Sequence, residues 1–250
     1  MNQPLRVLDL FSGIGGFSLG LERAGMQTVA FCEIDPFCRR VLAKHWPHVP
    51  CYDDVRTLTA SRLRADGIDP DVICGGFPCQ DISYAGPGAG LAGERSGLWY
   101  EYARLIGELG PSLVLVENVA ALLDRGMAEV LGSLSDLGLN AEWDTVSACA
   151  VGHSHVRRRV FIVAYSDRFH GRPRLRDSIA RSFRSLQEVH SFESARAREG
   201  ARMANPSELY RGADGLPFGM DRNRGVGNSV APYVIQTIGR AIIAASEVAP

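Results

Sequence analysis

The 250-residue sequence predicts a mostly parallel, doubly wound α/β fold, and three observations carry this prediction. Short apolar segments typical of buried strands alternate with amphipathic segments typical of helices. A glycine-rich turn, Phe11-Ser-Gly-Ile-Gly-Gly16, connects the first strand to the first helix. Several strands end in an acidic residue or a polar loop, and open α/β sheets bind ligands at the carboxyl ends of their strands. We therefore expect a ligand site along one edge of the sheet.

The order of the elements follows from local helix and strand patterns. Strands are expected at residues 6–10, 28–32, 49–52, 71–74 and 113–116, with helices at 17–24, 36–46, 98–109 and 126–137. Gly25 is typical of a helix end, and Asp35-Pro36 is typical of a helix start. Residues 140–148 and 158–165 predict two further strands, interpreted as a hairpin at the sheet edge. After Tyr165 the periodicity is lost until a final helix at residues 230–245.

The composition excludes several classes of protein. Hydrophobic residues make up 46% and charged residues 22% of the chain, as in ordinary globular domains. No stretch reaches the roughly 18 apolar residues of a membrane-spanning helix, and the N-terminus lacks a signal-peptide pattern, so we expect a cytoplasmic protein without a membrane partner. The six cysteines form no CxxC pair or zinc-type cluster, so we expect free thiols and no metal.

The net charge of −1 hides an uneven distribution. Residues 166–224 contain 12 Arg and 8 Asp or Glu, a net of +4, whereas the rest of the chain has a net of −5. Lys44 is the only lysine, and arginine suits bidentate contacts with phosphate and guanine. A GC-rich genome would explain the preference for Arg over Lys, but not the local excess.

The run Asp71-Val-Ile-Cys-Gly-Gly-Phe-Pro-Cys-Gln-Asp-Ile-Ser83 combines a buried strand with a reactive group. The strand breaks at Gly75-Gly76 and presents Pro78-Cys79 in a loop at its carboxyl end. A cysteine at that place is a candidate nucleophile. The alternative is a small buried apolar residue, which is what most cysteines are.

Five motifs, in this order, resemble those of the DNA (cytosine-5) methyltransferase family. They are LDLFSGIGG, GGFPCQDIS, Glu117-Asn118-Val119, Arg157-x-Arg159 and Gly227-Asn228-Ser229. The resemblance covers residues 6–165 and about 222–245. It implies a Rossmann-like fold that uses S-adenosylmethionine (SAM), with a catalytic domain at residues 1–165 and 225–250. Residues 166–224 would be a small inserted target-recognition segment.

The glycine-rich turn is a candidate site for a cofactor that carries a carboxylate. Gly13 and Gly15 are followed by Ser18 instead of the third glycine of GxGxxG, which disfavours a pyrophosphate. SAM has a carboxylate and no phosphate. Glu33 ends the second strand and is interpreted as a ribose ligand; the alternative is a solvated acid at a helix entry. Asp9 is expected to support the turn.

The resemblance adds further cofactor contacts. Phe11 matches the position that stacks on adenine, and Asp54 matches the one that contacts its amino group, although a one-residue shift would exchange Asp53 for Asp54. The full set of implied cofactor-binding residues is Phe11, Gly13, Gly15, Gly16, Glu33, Asp54, Pro78, Asn228 and Ser229.

The resemblance implies a catalytic role for Cys79, Glu117, Arg157 and Arg159. A cysteine that adds to C6 of cytosine activates C5, and a carboxyl at Glu117 would bond and protonate N3. The alternative for Glu117, a helix-entry acid, is weakened by the following Asn118-Val119. If the strand alternates, Arg157 and Arg159 share one face and Arg158 points away.

Double-stranded DNA is the implied partner, and the target base has to leave the helix. Residues 80–97, rich in glycine, would close over that base, with Gln80 and Ser83 near DNA. Arg158, Arg172 and Arg174 are candidate phosphate contacts; Arg172, Arg174 and Arg176 alternate as an extended segment would need. A disordered Arg-rich loop is the alternative.

The match to the family is incomplete. The usual Gln before the arginine motif is replaced by His155, and the family's ninth motif is not recognisable. The recognition segment is short, which implies a short or relaxed target site or help from another chain. A bacterial or phage enzyme of this kind would act as a monomer, with a cognate restriction system as a candidate partner.

Three rival functions remain. A tRNA cytosine-5 methyltransferase of the same fold would carry a Cys-Phe-Thr run, which is absent. A non-catalytic DNA-binding protein on this scaffold is disfavoured by Cys79, Glu117 and the intact glycine turn. A nicotinamide oxidoreductase is disfavoured by the broken GxGxxG pattern and by the Pro-Cys loop.

Overall fold

The computed structural model describes residues 3–78, 97–147, 158–169, 174–186 and 230–247. The strands in these residues are β1 (Arg6–Leu10), β2 (Gln27–Cys32), β3 (Cys51–Tyr52), β4 (Val72–Gly76), β5 (Leu113–Val119), β6 (Asn140–Ser147) and β7 (Arg158–Tyr165). The helices are α1 (Gly16–Arg23), α2 (Pro36–His45), α3 (Ala60–Ala65), α4 (Leu98–Leu109), α5 (Leu122–Arg125), α6 (Met127–Asp136), α7 (174–186) and α8 (Pro232–Glu247).

The strands form one sheet in the order β3-β2-β1-β4-β5-β7-β6. Strands β1 to β5 are parallel, β7 is antiparallel to β5, and β6 is antiparallel to β7. The predicted, mostly parallel α/β fold and the edge hairpin are therefore confirmed. From β1 the strand order continues through β2 to β3 at one edge of the sheet, and from β4 it continues towards the other edge. Ligands bind at the carboxyl ends of the strands where the order divides in this way.

The sheet separates two apolar clusters, because alternate residues of each strand face opposite sides. Leu8 of β1 and Ile73 of β4 pack with Trp99 of α4. Their neighbours Val7 and Val72 belong to the second cluster, with residues of α1, α7 and α8. Both faces of the central strands are covered, which explains their nearly continuous apolar sequence.

Helices α1 and α8 approach each other closely because glycine lies in their contact. A Cβ atom at Gly20 would lie only 2.6 Å from Cβ of Ile235. A Cβ at Gly239 would lie 2.8 Å from Cβ of Ala24. The two helices pack together on one face of the sheet, and α1 directly follows the glycine-rich turn. The position of α1 therefore depends on its contact with α8.

Helix α7 is a correction to the sequence interpretation, which expected no regular structure there. Leu175, Ile179 and Phe183 are buried in the second cluster, and Ser178 Oγ donates to the carbonyl of Ala241 at 3.0 Å. The apolar residues recur every fourth position, but charged and polar residues between them obscure the pattern. The segment therefore packs on the sheet domain through this helix.

The expected extended alternation of arginines is also wrong in part. Arg174 and Arg176 lie on α7, where residues two apart do not share a face. Arg176 pairs with Glu142 of β6 at 3.5 Å. The DNA contact of Arg174 stays a prediction, and Arg172 lies outside the described residues. Within the described ranges, none of the helices is both long and apolar enough to cross a membrane.

Candidate active site

The glycine-rich turn leaves the carboxyl end of β1 in a conformation that favours glycine. Phe11 has a φ of 51°, the one non-glycine residue with positive φ in the described part of the chain. Gly13 has a φ of 55°, and the Cβ it lacks would point into open space. Strained backbone of this kind is common at functional sites. The turn is thus open to a ligand at Gly13.

Asp9 holds the turn from beneath, as expected from the sequence. Its side chain is fully buried, and Oδ2 accepts hydrogen bonds from Ser18 Oγ at 2.7 Å and Ser18 N at 3.3 Å. Burial raises the pKa of Asp9 to about 7, and the bonds from Ser18 oppose this rise. Asp9 therefore tethers the first turn of α1 to β1.

Glu33 joins the second strand to the glycine-rich turn. Its Oε2 accepts from Gly13 N at 2.7 Å, and its Oε1 accepts from Asp35 N at 2.8 Å. The side chain is 9% exposed, so it is not a solvated acid. Asp35 caps α2 itself, since its Oδ1 accepts from Phe37 N at 2.7 Å. Each Glu33 oxygen retains a lone pair, and the ribose contact stays a prediction.

Asp53 and Asp54 follow β3 and line one surface hollow, with Tyr52 on the same wall. Asp53 is exposed. Asp54 is held by Arg56, whose Nη2 lies 2.6 Å from Oδ2, and the hydrogen bonds from Arg56 lower the pKa of Asp54. Both residues border the same hollow, and the assignment of Asp54 to adenine stays a prediction.

Glu117 lies near the carboxyl end of β5 and carries a largely buried carboxyl group. The strand continues to Val119, further than predicted, because it pairs with β7 there. Arg159 of β7 places Nε 2.8 Å from Glu117 Oε1. Burial raises the pKa of Glu117 to about 7, although the guanidinium of Arg159 acts in the opposite direction. The side chain is 12% exposed, which leaves the acid accessible at the sheet edge.

The end of β4 passes directly beside this carboxyl group. A Cβ at Gly76 would lie 2.6 Å from Glu117 Oε2, and a Cβ at Gly75 would collide with the carbonyl oxygen of Leu10. Asn118 Nδ2 donates to the carbonyl of Phe77 at 3.1 Å. The two glycines and Asn118 thus bring the chain that enters Pro78-Cys79 alongside Glu117.

A row of aromatic rings, which was not predicted from the sequence, connects Phe11 of the glycine-rich turn to Phe77 at the end of β4. Ring centroids lie 5.4 Å apart for Phe77 and Trp99, 5.6 Å for Trp99 and Tyr102, and 6.2 Å for Tyr102 and Phe11. Tyr102 is fully buried and its hydroxyl donates to the carbonyl of Leu115 at 3.0 Å. The run Trp99-Tyr-Glu-Tyr102 at a helix start was the available signal in the sequence.

Of the other predicted site residues, some lie in the described part of the chain and others lie outside it. Gly15 and Gly16 begin α1, Pro78 follows β4, and Arg158 is exposed on β7 while its neighbour Arg159 points to Glu117. The predictions for Cys79, Gln80, Ser83, Arg157, Arg172, Asn228 and Ser229 fall outside the described residues. Among described residues, no group of three or more His, Cys, Asp or Glu could hold a metal ion.

Sequence comparison identifies relatives of this chain among restriction-modification enzymes. The Type II methyltransferase M2.BsuMI of Bacillus subtilis (strain 168) is 38% identical over 168 residues, which cover 64% of this chain and 42% of that protein. The Type II methyltransferase M.Eco47II of Escherichia coli is 36% identical over 169 residues, which cover 65% of this chain and 40% of that protein. The chain thus matches less than half of the length of either relative.

A solved structure and a family model agree with these relatives. A DNA modification methyltransferase encoded within a prophage of E. coli superposes with a TM-score of 0.56 and 29% identity, covering 65% of this chain and 47% of that one. The family model described as C-5 cytosine-specific DNA methylase matches residues 5–205. The glycine-rich turn, Glu117 and the end of β4 all lie inside the matched region. The chain belongs to the C-5 cytosine-specific DNA methylase family.

Proposed function

We propose that the protein transfers a methyl group from SAM to C5 of a cytosine in duplex DNA and forms 5-methylcytosine. The observation that carries this proposal is the largely buried carboxyl of Glu117. It is paired with Arg159 and lies beside the glycines that lead into Pro78-Cys79. An acid with a pKa of about 7 beside the end of β4, which leads in sequence to Pro78-Cys79, suits the activation of a pyrimidine ring.

The residues of the glycine-rich turn fit a cofactor with a carboxylate and an adenosine. The N-cap residue of α1, Gly15, provides no side-chain cap, and Asp9 accepts from the amide of Ser18. The amides of Gly16 and Phe17 are proposed to receive the negative group of the cofactor. Gly13 offers open space in the turn, and Glu33, which accepts from the Gly13 amide, lies at the end of the neighbouring strand. The other residues proposed to contact SAM are Gly15, Gly16, Asp54, Pro78, Asn228 and Ser229. When bound, SAM supplies an electrophilic methyl group.

The chain's own residues would activate and release the cytosine. The thiolate of Cys79 adds to C6 while Glu117 donates a proton to N3, so that C5 becomes a nucleophile and accepts the methyl group. Transfer of the C5 proton to water then restores the C5–C6 double bond and expels the Cys79 thiolate, and N3 returns its proton to Glu117. Arg159 holds the Glu117 carboxyl in place throughout, and Arg157 is proposed to contact the base.

The cytosine reaches this site only after it leaves the double helix. Arg158 faces outward from β7, in keeping with a phosphate contact. Gln80, Ser83, Arg172 and Arg174 are proposed as further DNA contacts. Residues 166–224 are proposed to read the target site, with α7 anchoring them to the sheet domain. The Type II relatives favour a role in restriction and modification. A cytoplasmic location, a cognate endonuclease as a partner and a monomeric enzyme are proposed with it.

The mechanism is tested with a duplex that contains 5-fluorocytosine. Fluorine at C5 cannot leave as a proton, so the adduct between Cys79 and C6 should accumulate after methyl transfer and survive denaturing electrophoresis. The wild type with SAM should form this adduct, and Cys79→Ala should form none. If radioactive methyl groups are transferred to tRNA but not to duplex DNA, the substrate is RNA and the proposed DNA substrate is wrong. Methylation of DNA by Cys79→Ala would refute the covalent step.

A further inference from the structure

We propose that Trp46, held by Glu22, is a positioning residue that sets the shape of the glycine-rich turn for cofactor binding. The inference rests on the proposed SAM-dependent function. Neither residue belongs to the motifs that identified the site. Trp46 contacts the turn at Gly15, two residues along the chain from the open space at Gly13.

Trp46 contacts three elements that meet at the site. It is the C-terminal cap of α2, and its ring packs edge-on against Phe31 of β2 with centroids 5.4 Å apart. Its indole Nε1 donates to both carboxylate oxygens of Glu22 on α1, each at 2.9 Å. Its six-membered ring lies against the backbone of Gly15 in the turn. One side chain therefore fixes the relative positions of β2, α1 and the turn.

The contact with Gly15 explains why this residue is glycine for two independent reasons. Its φ of 88° lies in the left-handed region, which side chains disfavour. A Cβ would also lie 2.6 Å from Cζ3 and 2.7 Å from Cη2 of Trp46. The indole fills the space beside the turn, so the backbone at Gly15 cannot move in that direction.

The hydrogen bond to Glu22 fixes the ring that makes this contact. The carboxylate accepts a charge-assisted bond, which is stronger than a bond between neutral groups. Trp46 and Glu22 are only half-buried, unlike Trp99, which is fully buried in the core. Asp9 tethers the start of α1 through Ser18, and the Glu22–Trp46 pair holds a later turn of the same helix. The amides at the start of α1 are thus restrained from two directions.

A turn that is restrained in the binding-competent shape binds its ligand more tightly. If only a fraction of molecules holds that shape, the apparent dissociation constant rises by the inverse of the fraction. Removing the Trp46–Glu22 bond should therefore weaken cofactor binding. The substitution Trp46→Phe removes this bond but keeps an aromatic ring in most of the space beside Gly15. The loss of one charge-assisted hydrogen bond corresponds to roughly a tenfold change in affinity.

The test measures binding of S-adenosylhomocysteine by calorimetry to the full chain and four variants. Trp46→Phe and Glu22→Ala should each raise the dissociation constant about tenfold, and the double variant should raise it no further, because both remove the same bond. Trp143→Phe is the matched control: it changes an exposed tryptophan on β6, at the opposite edge of the sheet from β3. It should bind like the wild type.

Kinetics separate positioning from a loss of folded protein. With Trp46→Phe, the KM for SAM should rise about tenfold while kcat at saturating SAM stays at the wild-type value, and Glu22→Gln, which keeps an acceptor oxygen, should recover part of the affinity. Unchanged affinity in Trp46→Phe, additive effects in the double variant, or a lowered kcat with unchanged KM would overturn the inference. A wild type that binds no S-adenosylhomocysteine would instead refute the proposed function.

Discussion

Replacing Glu117 by Gln should abolish methylation and, at the same time, stabilise the fold at alkaline pH. On folding, burial raises the pKa of the Glu117 carboxyl from its ordinary value of 4.5 to about 7. One pKa unit is worth about 1.4 kcal/mol, so the ionised carboxyl costs the folded protein about 3 kcal/mol relative to the protonated one. The glutamine side chain has nearly the same shape as that of glutamate, and its amide does not ionise in this pH range.

The sign of the effect follows from where the proton binds. Between the two pKa values the folded state binds more protons than the unfolded state, so stability falls as pH rises. The contribution of Glu117 is fully present below pH 4.5 and is lost as pH passes through about 7. The Gln variant lacks this loss. From about pH 5 to about pH 8 it should therefore gain roughly 2–3 kcal/mol relative to the wild type.

Urea denaturation of both proteins at the two pH values measures this difference. Asp9→Asn provides a second probe, because burial raises the pKa of Asp9 in the same direction and the variant should also reduce the slope of stability against pH. Parallel curves for the wild type and Glu117→Gln would refute the assignment of a buried, protonated acid. A methylation rate close to that of the wild type would refute its role as the proton donor to N3.

Three further substitutions and one control, Gly132→Ala, test the packing and the cofactor site. Gly20→Ala should destabilise the protein by about 1–3 kcal/mol because its Cβ would meet Ile235, whereas Gly132→Ala in α6, with open space around it, should be neutral or slightly stabilising in urea melts. Leu175→Ala should cost about 2–5 kcal/mol if α7 packs as described, and an unchanged melting curve would contradict that packing. Glu33→Ala should weaken SAM binding roughly 10–100-fold in calorimetry without unfolding the chain, and an unchanged affinity would exclude Glu33 from the site.

Local sequence patterns predicted the parallel half of the fold well. Gly25 ends α1 in the left-handed conformation, with a φ of 99°, and Asp35 caps α2 as its position before Pro36 indicated. These features depend on a few consecutive residues, so the sequence carries them directly. The position of Glu33 at the end of β2 followed in the same way, because a strand's end fixes which side chain reaches the sheet edge.

The pairing of Glu117 with Arg159 could not be predicted from the motifs alone. Each residue was a candidate through the family resemblance, but their contact depends on β7 lying next to β5. The antiparallel register opposes Val119 to Arg159 and Glu117 to Phe161, which brings the guanidinium diagonally to the carboxylate. Neither the strand order nor this register is encoded in residues that are close in sequence.

Two other features were missed for different physical reasons. Helix α7 has an apolar stripe of Leu175, Ile179 and Phe183, but the intervening arginines made the segment resemble a surface loop. From the sequence, Trp46 was predicted only to lie at the end of a helix. Its role depends on Gly15 and Glu22, which are distant in sequence and meet it only in the fold.

The most direct test of C5 methylation by this protein is bisulfite sequencing of unmethylated duplex DNA after incubation with the purified protein and SAM. With the wild type, cytosines in one sequence context should be protected, and with Cys79→Ala none should be. That result would establish C5 methylation, the role of Cys79 and the target site in a single measurement. Absence of protected cytosines in DNA treated with folded wild-type protein that binds SAM would contradict the proposed activity on DNA.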